Sequence, residues 1–257
     1  MKRRIFFIAI FSHAQISAAK NWDGYADRAI SVRAGFVSPA IHQYLSNPDN
    51  PQAKRVQYDP NVPSKFGLGF SYGKIGLSTT FAPTQDANTI EKLGKTTAQD
   101  YQLRFFGDVH TYDLFYQRYS GFYIRNSSEI DPTYATRTDS IKRPDLDIEH
   151  YGIQYFYNFS PDNFHPGYFD QSAIPRSSGG ALLGFLGLSY HRFSADSSLV
   201  PTTLTGTYGE FENFKGGQFQ TAKTGLAAGY CLVWNSIYLA SMGLLAGGKK
   251  IKKYDLG

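Results

Sequence analysis

Cysteine is nearly absent: Cys231 stands alone in 257 residues. One thiol excludes an intramolecular disulfide framework and a cysteine-based zinc site, and it suits an exported protein that avoids oxidative cross-linking. Charge is also scarce, at 18% of residues. Helical periodicity is missing, since no segment carries a 3.6-residue apolar stripe with caps. Neither a fixed-period repeat nor a domain linker interrupts the chain. Aromatic residues are what it has in quantity, 19 Tyr and 20 Phe against 26 Lys plus Arg. That composition is neither disordered nor collagenous, and the length suits one sizeable domain.

Residues 1–19 read as an export signal. Lys2, Arg3 and Arg4 form a basic region, Ile5 to Phe11 an apolar one, and Ser17-Ala18-Ala19 a small-residue exit. Cleavage after Ala14 is a second choice, and a buried N-terminal strand is the plain alternative. The apolar run falls far short of a membrane-spanning helix. Removing residues 1–19 takes away those three charges, so the formal +5 becomes +2, with 23 basic residues against 21 acidic. The dense basic run that remains is Lys249-Lys250-Ile251-Lys252-Lys253. A nucleic-acid partner needs a concentrated basic face and is not expected.

Residues 20–257 are dominated by period-two alternation, which gives a strand two different faces. Ile30, Val32, Ala34 and Phe36 alternate with Ser31, Arg33 and Gly35; Phe66, Leu68, Phe70 and Tyr72 alternate with Lys65, Gly67, Gly69 and Ser71. Gly73-Lys74 then turns the chain into the return run Ile75, Leu77, Thr79, Phe81, a hairpin signal. Runs 100–107 and 111–125 flank a break at Asp108-Val109. In 149–159, Tyr151, Ile153, Tyr155, Tyr157 and Phe159 share one face, opposite His150, Gly152, Gln154 and Asn158 with Phe156 among them. Runs 181–192, 221–234 and 237–246 follow. Loops rich in Asp, Asn, Ser, Thr and Pro occupy 82–98, 126–145, 160–178 and 193–219.

The apolar faces are heavily aromatic and the runs have the length of a tilted membrane strand, about 9–11 residues. In lipid every backbone N–H must be paired, so such strands require a closed barrel. Tight connections after 64–72, 100–107 and 221–234 alternate with long loops, as periplasmic turns and outer loops do. The expected fold is therefore all-β, an antiparallel transmembrane β-barrel of about ten strands, within a range of eight to twelve. Nine are counted without Arg55–Asp59, and the ending Tyr254-Asp255-Leu256-Gly257 is not a closing amphipathic strand, so the barrel is expected to be incomplete at its C-terminus or to hold a further strand. A rival reading is a helix at 225–248, which is uncharged, contains Gly225-x-x-x-Gly229 and precedes the lysines. Against it, Asn235-Ser236 suits a turn, and Tyr230, Val233 and Trp234 favour strand. A soluble secreted β-protein is the other rival.

One set of residues is expected on the barrel interior: Arg33, Lys65, Gln102, Arg104, Asp113, Gln117, His150, Gln154, Asn158 and Lys223. In a small barrel such charges pair and plug the lumen; in a wide one they line a water path. No catalytic residue, metal or cofactor is assigned. An enzymatic alternative is a lipid hydrolase with a Ser–His pair at the rim, drawn from His150 and His191 with Ser177, Ser178 or Ser189. Nothing in the spacing establishes that contact, and wet lumen histidines are the simpler account. His42, His110 and His165 lack zinc-ligand spacing. Asp49, Asp59, Asp131, Asp139, Asp145, Asp147 and Glu149 have the chemistry for a divalent cation but read more simply as solvating charge. Gly67-x-Gly69 lies in a strand, without the helix N-terminus of a phosphate loop.

Several strings resemble an uncharacterised exported barrel family of Gram-negative bacteria, domain-of-unknown-function family 4421. They are Tyr58-Asp59-Pro60-Asn61, then Gly67-Leu68-Gly69-Phe70-Ser71-Tyr72 and Gly76-Leu77-Ser78, and Asp113-Leu114-Phe115-Tyr116-Gln117-Arg118-Tyr119-Ser120-Gly121-Phe122-Tyr123. Gln171 to Gly180 and Asp196-Ser197-Ser198-Leu199-Val200-Pro201 continue the succession. The resemblance spans 55–235 and implies an outer-membrane barrel without a known activity, cofactor or catalytic residue. The expected partners are outer-membrane lipid and, during insertion, the barrel-assembly machinery; the expected role is structural or the passive passage of small solutes.

Overall fold

The computed structural model describes residues 7–11, 30–37, 41–47, 50–62, 64–169, 173, 175, 177–234 and 237–255. Among them, twelve strands form one sheet. In chain order these are β1 (Phe7–Phe11), β2 (Ile30–Val37), β3 (Gln43–Leu45), β4 (Val56–Asp59), β5 (Lys65–Tyr72) and β6 (Ile75–Phe81). They continue as β7 (Thr97–Phe106), β8 (His110–Ile124), β9 (Lys142–Asn158), β10 (Gly179–Ser194), β11 (Gly216–Trp234) and β12 (Ile237–Asp255). Two short helices, α1 (Ala87–Leu93) and α2 (Ser127–Ile130), lie in the loops.

The protein is all-β and its strand pairs are antiparallel. From β5 to β12 each strand pairs with its sequence neighbour, β2 joins β5, and β1 joins β12. Among the described residues the sheet does not close, since β1 and β2 are its edges; this arrangement is consistent with an incomplete barrel. The described residues 225–234 and 237–248 are strand and not helix: they form the end of β11 and much of β12, with Gly248 paired to Lys223, Gly225 to Ala246 and Trp234 to Ile237. No helix among the described residues is long and apolar enough to cross a membrane. Phe7–Phe11, expected within a leader, pairs with Met242–Ala246 of β12; the Ser17-Ala18-Ala19 exit lies outside the described residues. Val56–Asp59, left out of the nine counted strands, is β4, which pairs with β3 and with the end of β8 instead of joining the main path.

Turn chemistry sets the two ends of the sheet. Gly73, at φ 56, opens the tight link from β5 to β6, and the Gly107 N–H donates to the His110 carbonyl at 2.8 Å across the β7–β8 link. Long loops 82–96, 125–141 and 195–215 gather at the other end. The connection 159–178 breaks this alternation: it is long yet leaves β9 at the tight-turn end, where its described part around Phe164 packs against the sheet. Gly121, at φ +83, marks the bulge in β8. A Cβ there would stand 2.1 Å from the Lys95 carbonyl oxygen, so only glycine fits.

Two apolar clusters pack on the same face of the sheet, one near each end. At the tight-turn end Phe164, from the inward-folded connection, is fully buried with Phe156, Leu183, Phe185, Ala227 and Cys231. Gly229 makes room for it, since a Cβ there would lie 2.6 Å from the Phe164 ring. At the long-loop end Tyr58, Ile124, Leu146, Leu199 and Tyr208 join Tyr119, Phe193 and Phe219 of the sheet. The Tyr58 hydroxyl donates to the Leu199 carbonyl, and burial pushes its phenol up, so it stays a donor. Tyr208 donates to the Lys54 carbonyl at 2.7 Å.

Candidate functional site

Direct cross-strand partners point to the same face of a sheet, so the registers sort every side chain. One face carries three rows. Tyr101, Tyr116, Tyr151 and Tyr190 are successive partners across β7 to β10. Beside them run Leu77, Leu103, Leu114, Ile153 and Leu188, and then Ile75, Phe105, Tyr112, Tyr155 and Leu186. Beyond the tyrosines the same face turns charged, with Arg118, Glu149 and Arg192 as partners. There the Tyr116 hydroxyl donates to Glu149 at 2.9 Å, and Arg118 pairs with Asp147 at 3.2 Å. Most of these apolar side chains are solvent-exposed, Tyr151 at 43% and Leu188 at 60%, and Leu103, Tyr116, Tyr155 and Tyr190 are half-buried. A shallow groove of about 970 Å³ crosses β7 to β12 between the tyrosine and aliphatic rows.

All ten residues expected to share the interior lie on the opposite face, where the registers of β2, β5 and β7 to β11 place them. They do not form one group. Arg104 and Gln102 hold Asp113, at 3.1 Å and at 2.8 and 2.7 Å. Gln154 is the register partner of Asp113. Lys65, only 2% exposed, pairs with Asp100 and donates to the Tyr119 hydroxyl, while Thr80 donates to Asp100 at 2.7 Å. Arg33 lies against Gly69, where a Cβ would stand 3.0 Å from its guanidinium, whereas a Cβ at Gly67 would stand 3.3 Å from the Thr80 methyl; room for the Arg33 side chain explains Gly69. Asn158 is a clamp: its amide donates to the Phe164 carbonyl at 2.6 Å and to the Asp108 carbonyl at 3.1 Å.

Gln117, His150 and Lys223 belong to a further neighbourhood. His150 Nδ1 lies 3.3 Å from Gln117 Oε1, and its ring sits 5.6 Å from that of His191, which stacks on Phe219 at 5.8 Å. These rings line a cavity of about 480 Å³ together with Ser189, Lys223, Lys250 and Lys252. Lys250 and Lys252 come from the terminal basic run. Alternation along β12 sends them to the polar face and Lys249 and Lys253 to the other; applied to that run, it is the signal that would have found them. Among the described residues no hydrogen bond joins Ser177, Ser178 or Ser189 to a histidine, and Ser178 instead accepts from the Val233 amide at 2.9 Å.

Among the described residues no group of three or more His, Cys, Asp or Glu is placed to hold a metal. Asp49 lies outside them. Asp59 meets His42 at 2.9 Å and Arg125 at 3.5 Å, Asp131 caps Thr133, and Asp139 pairs with Arg137 at 2.7 Å. Above the charged row, Arg143 holds the Asp145 carboxyl well below the usual carboxylate range, helped by Ser197. His165 lies 3.6 Å from Asp108, and His110 bonds Tyr155 at 2.8 Å. Two of the family-like strings, 58–61 and 196–201, meet through Tyr58 and Leu199.

Register and burial together define the class: a single antiparallel sheet with one apolar and one polar face, in the form of an incomplete barrel. The chain belongs to the family described as Domain of unknown function (DUF4421), which matches residues 26–255. No curated protein and no solved structure matches it.

Proposed function

We propose that this chain is an integral barrel protein of the Gram-negative outer membrane, exported through the periplasm, structural or passing small solutes, and without enzymatic activity. The observation that carries the reading is the exposed apolar face. Nine of the ten main-path strands, β2 and β5 to β12, about 4.8 Å apart and each with an apolar band about 25 Å tall, give on the order of 1,000 Å² of contiguous apolar surface. Soluble monomers rarely expose more than a few hundred Å². Hydrocarbon tails lying on the three rows, and in the groove between them, remove that surface from water. The charged row of Arg118, Glu149 and Arg192 then meets the headgroups.

The two apolar clusters on the polar face favour an occluded interior over a wide channel, because Phe164 and its neighbours fill one end and the loop cluster fills the other. The test has two parts. Refolded into phospholipid vesicles, the protein should migrate faster on a detergent gel before heating than after; a single position before and after heating refutes insertion. The same vesicles should swell slowly or not at all in small sugars, and fast swelling refutes occlusion. Fatty-acid release from these vesicles, abolished in both His150→Ala and His191→Ala, would establish a hydrolase instead.

A further inference from the structure

We propose that the polar face carries a binding site for a small phosphorylated organic anion, built by Lys223, Lys250 and Lys252 with His150 and His191. The cavity they line, about 480 Å³, falls within the range of small-molecule sites, roughly 300–1,000 Å³. Lys250 and Lys252 are two residues apart on one face of β12, opposite Thr221 and Phe219, and Lys223 is two residues from Thr221. Three ammonium groups are thereby gathered at one place.

Among the described residues no carboxylate lines this cavity. The polar-face acids Asp100 and Asp113 are taken up by Lys65 and Arg104, and among the described residues none of the three lysines has an ion-pair partner. Like charges brought together without a counter-ion repel, and an anion seated between them reverses the sign of that contribution. Phosphate suits the set, because lysine acts on it as a compact point charge and the His191 ring can add an N–H donor. The other walls are aromatic: Phe193, Phe214, Phe219 and Tyr254, with Lys250 Nζ 4.1 Å over the Phe219 ring. A ligand with an apolar or ring-shaped body beside its phosphate fits both halves. The cavity opens on the face opposite the apolar rows, which favours a water-borne anion over a lipid headgroup. This inference does not depend on whether the apolar face meets lipid.

The test is calorimetric titration of the full chain in detergent with phenyl phosphate, inorganic phosphate, phenol and phosphatidic acid in mixed micelles. Phenyl phosphate should bind, inorganic phosphate more weakly, and phenol not at all. K250Q/K252Q should weaken phenyl phosphate by about tenfold or more, while K249Q/K253Q, on the other face, should leave it unchanged. If K250Q/K252Q does not fold, salt raised about tenfold must weaken phenyl phosphate binding to the unaltered protein. No heat with phenyl phosphate at millimolar concentration overturns the proposal. So does binding of phosphatidic acid alone, equal loss in both lysine pairs, or binding that salt does not touch.

Discussion

Placing an arginine at Ile153 separates a lipid-facing surface from a water-facing one. Ile153 lies in the middle of the aliphatic row, between Leu114 and Leu188, with Tyr151 and Tyr155 about 7 Å away along the strand on either side. In water the substitution is nearly free: Ile153 is already 37% exposed, and surface changes away from special features stay within about 0.5 kcal/mol. At the bilayer midplane an outward arginine on a barrel costs about 2–4 kcal/mol. At 1.4 kcal/mol per tenfold, the folded-to-unfolded ratio falls roughly thirty- to several-hundred-fold. Gln154→Arg, one residue along, is the control, because its side chain points to the polar face beside Asp113 and gains an opposite charge. Urea titration in phospholipid vesicles, read by gel migration and tryptophan fluorescence, gives both numbers. Ile153→Arg indistinguishable from the parent, or Gln154→Arg the more damaging, would refute the orientation of the sheet.

Three further outcomes follow from the packing. Phe164→Ala should cost about 3–5 kcal/mol and Gly229→Ala about 1–3 kcal/mol; in the double variant the Gly229 cost should vanish, because the ring it displaces is gone, and strict additivity would show that the two do not touch. Gly121→Ala should destabilise by at least about 1 kcal/mol, since the residue needs its positive φ and the Cβ meets the Lys95 carbonyl; an unchanged urea midpoint counts against the bulge. Asp145 has a carboxyl held below its usual value of 3.8 by Arg143, so its contribution is present above that pH and is lost as pH falls through the lower folded value. Amide-exchange protection at Ser197, whose N–H reaches Asp145 at 3.1 Å, should drop over that acid range and be missing at all pH in Asp145→Ala.

Strand faces were legible in the sequence because alternation is local. Arg33, Gln102 and Gln154 reach the polar face through period two alone, and Tyr151 to Tyr157 reach the apolar one. What escaped was set by distant contact. Asn158 has the polar identity and the parity of a lumen residue, yet it holds Phe164, which lies in a loop with no periodic signal. Val56–Asp59 is too short to register alternation, and its burial depends on Leu199 and Tyr208, far along the chain. The basic run is legible as charge, and splitting it by parity divides it between two environments. Pairing of Phe7–Phe11 with β12 is likewise a long-range choice that no local pattern encodes.

Strand length is unevenly distributed around this wall. β8 to β12 run 15–19 residues, whereas β2, β5, β6 and β7 run 7–10. At about 3.3 Å per residue the longer flank runs roughly 50–63 Å along its strands, more than the roughly 9–11 residues that a tilted membrane strand needs. On the proposed membrane placement the short flank ends near the headgroups, and the mouth is slanted like a cut quill. A solute reaching the proposed Lys250 and Lys252 site would then meet a parapet on one side and only folded loops on the other, so entry would have a compass direction within the plane of the bilayer.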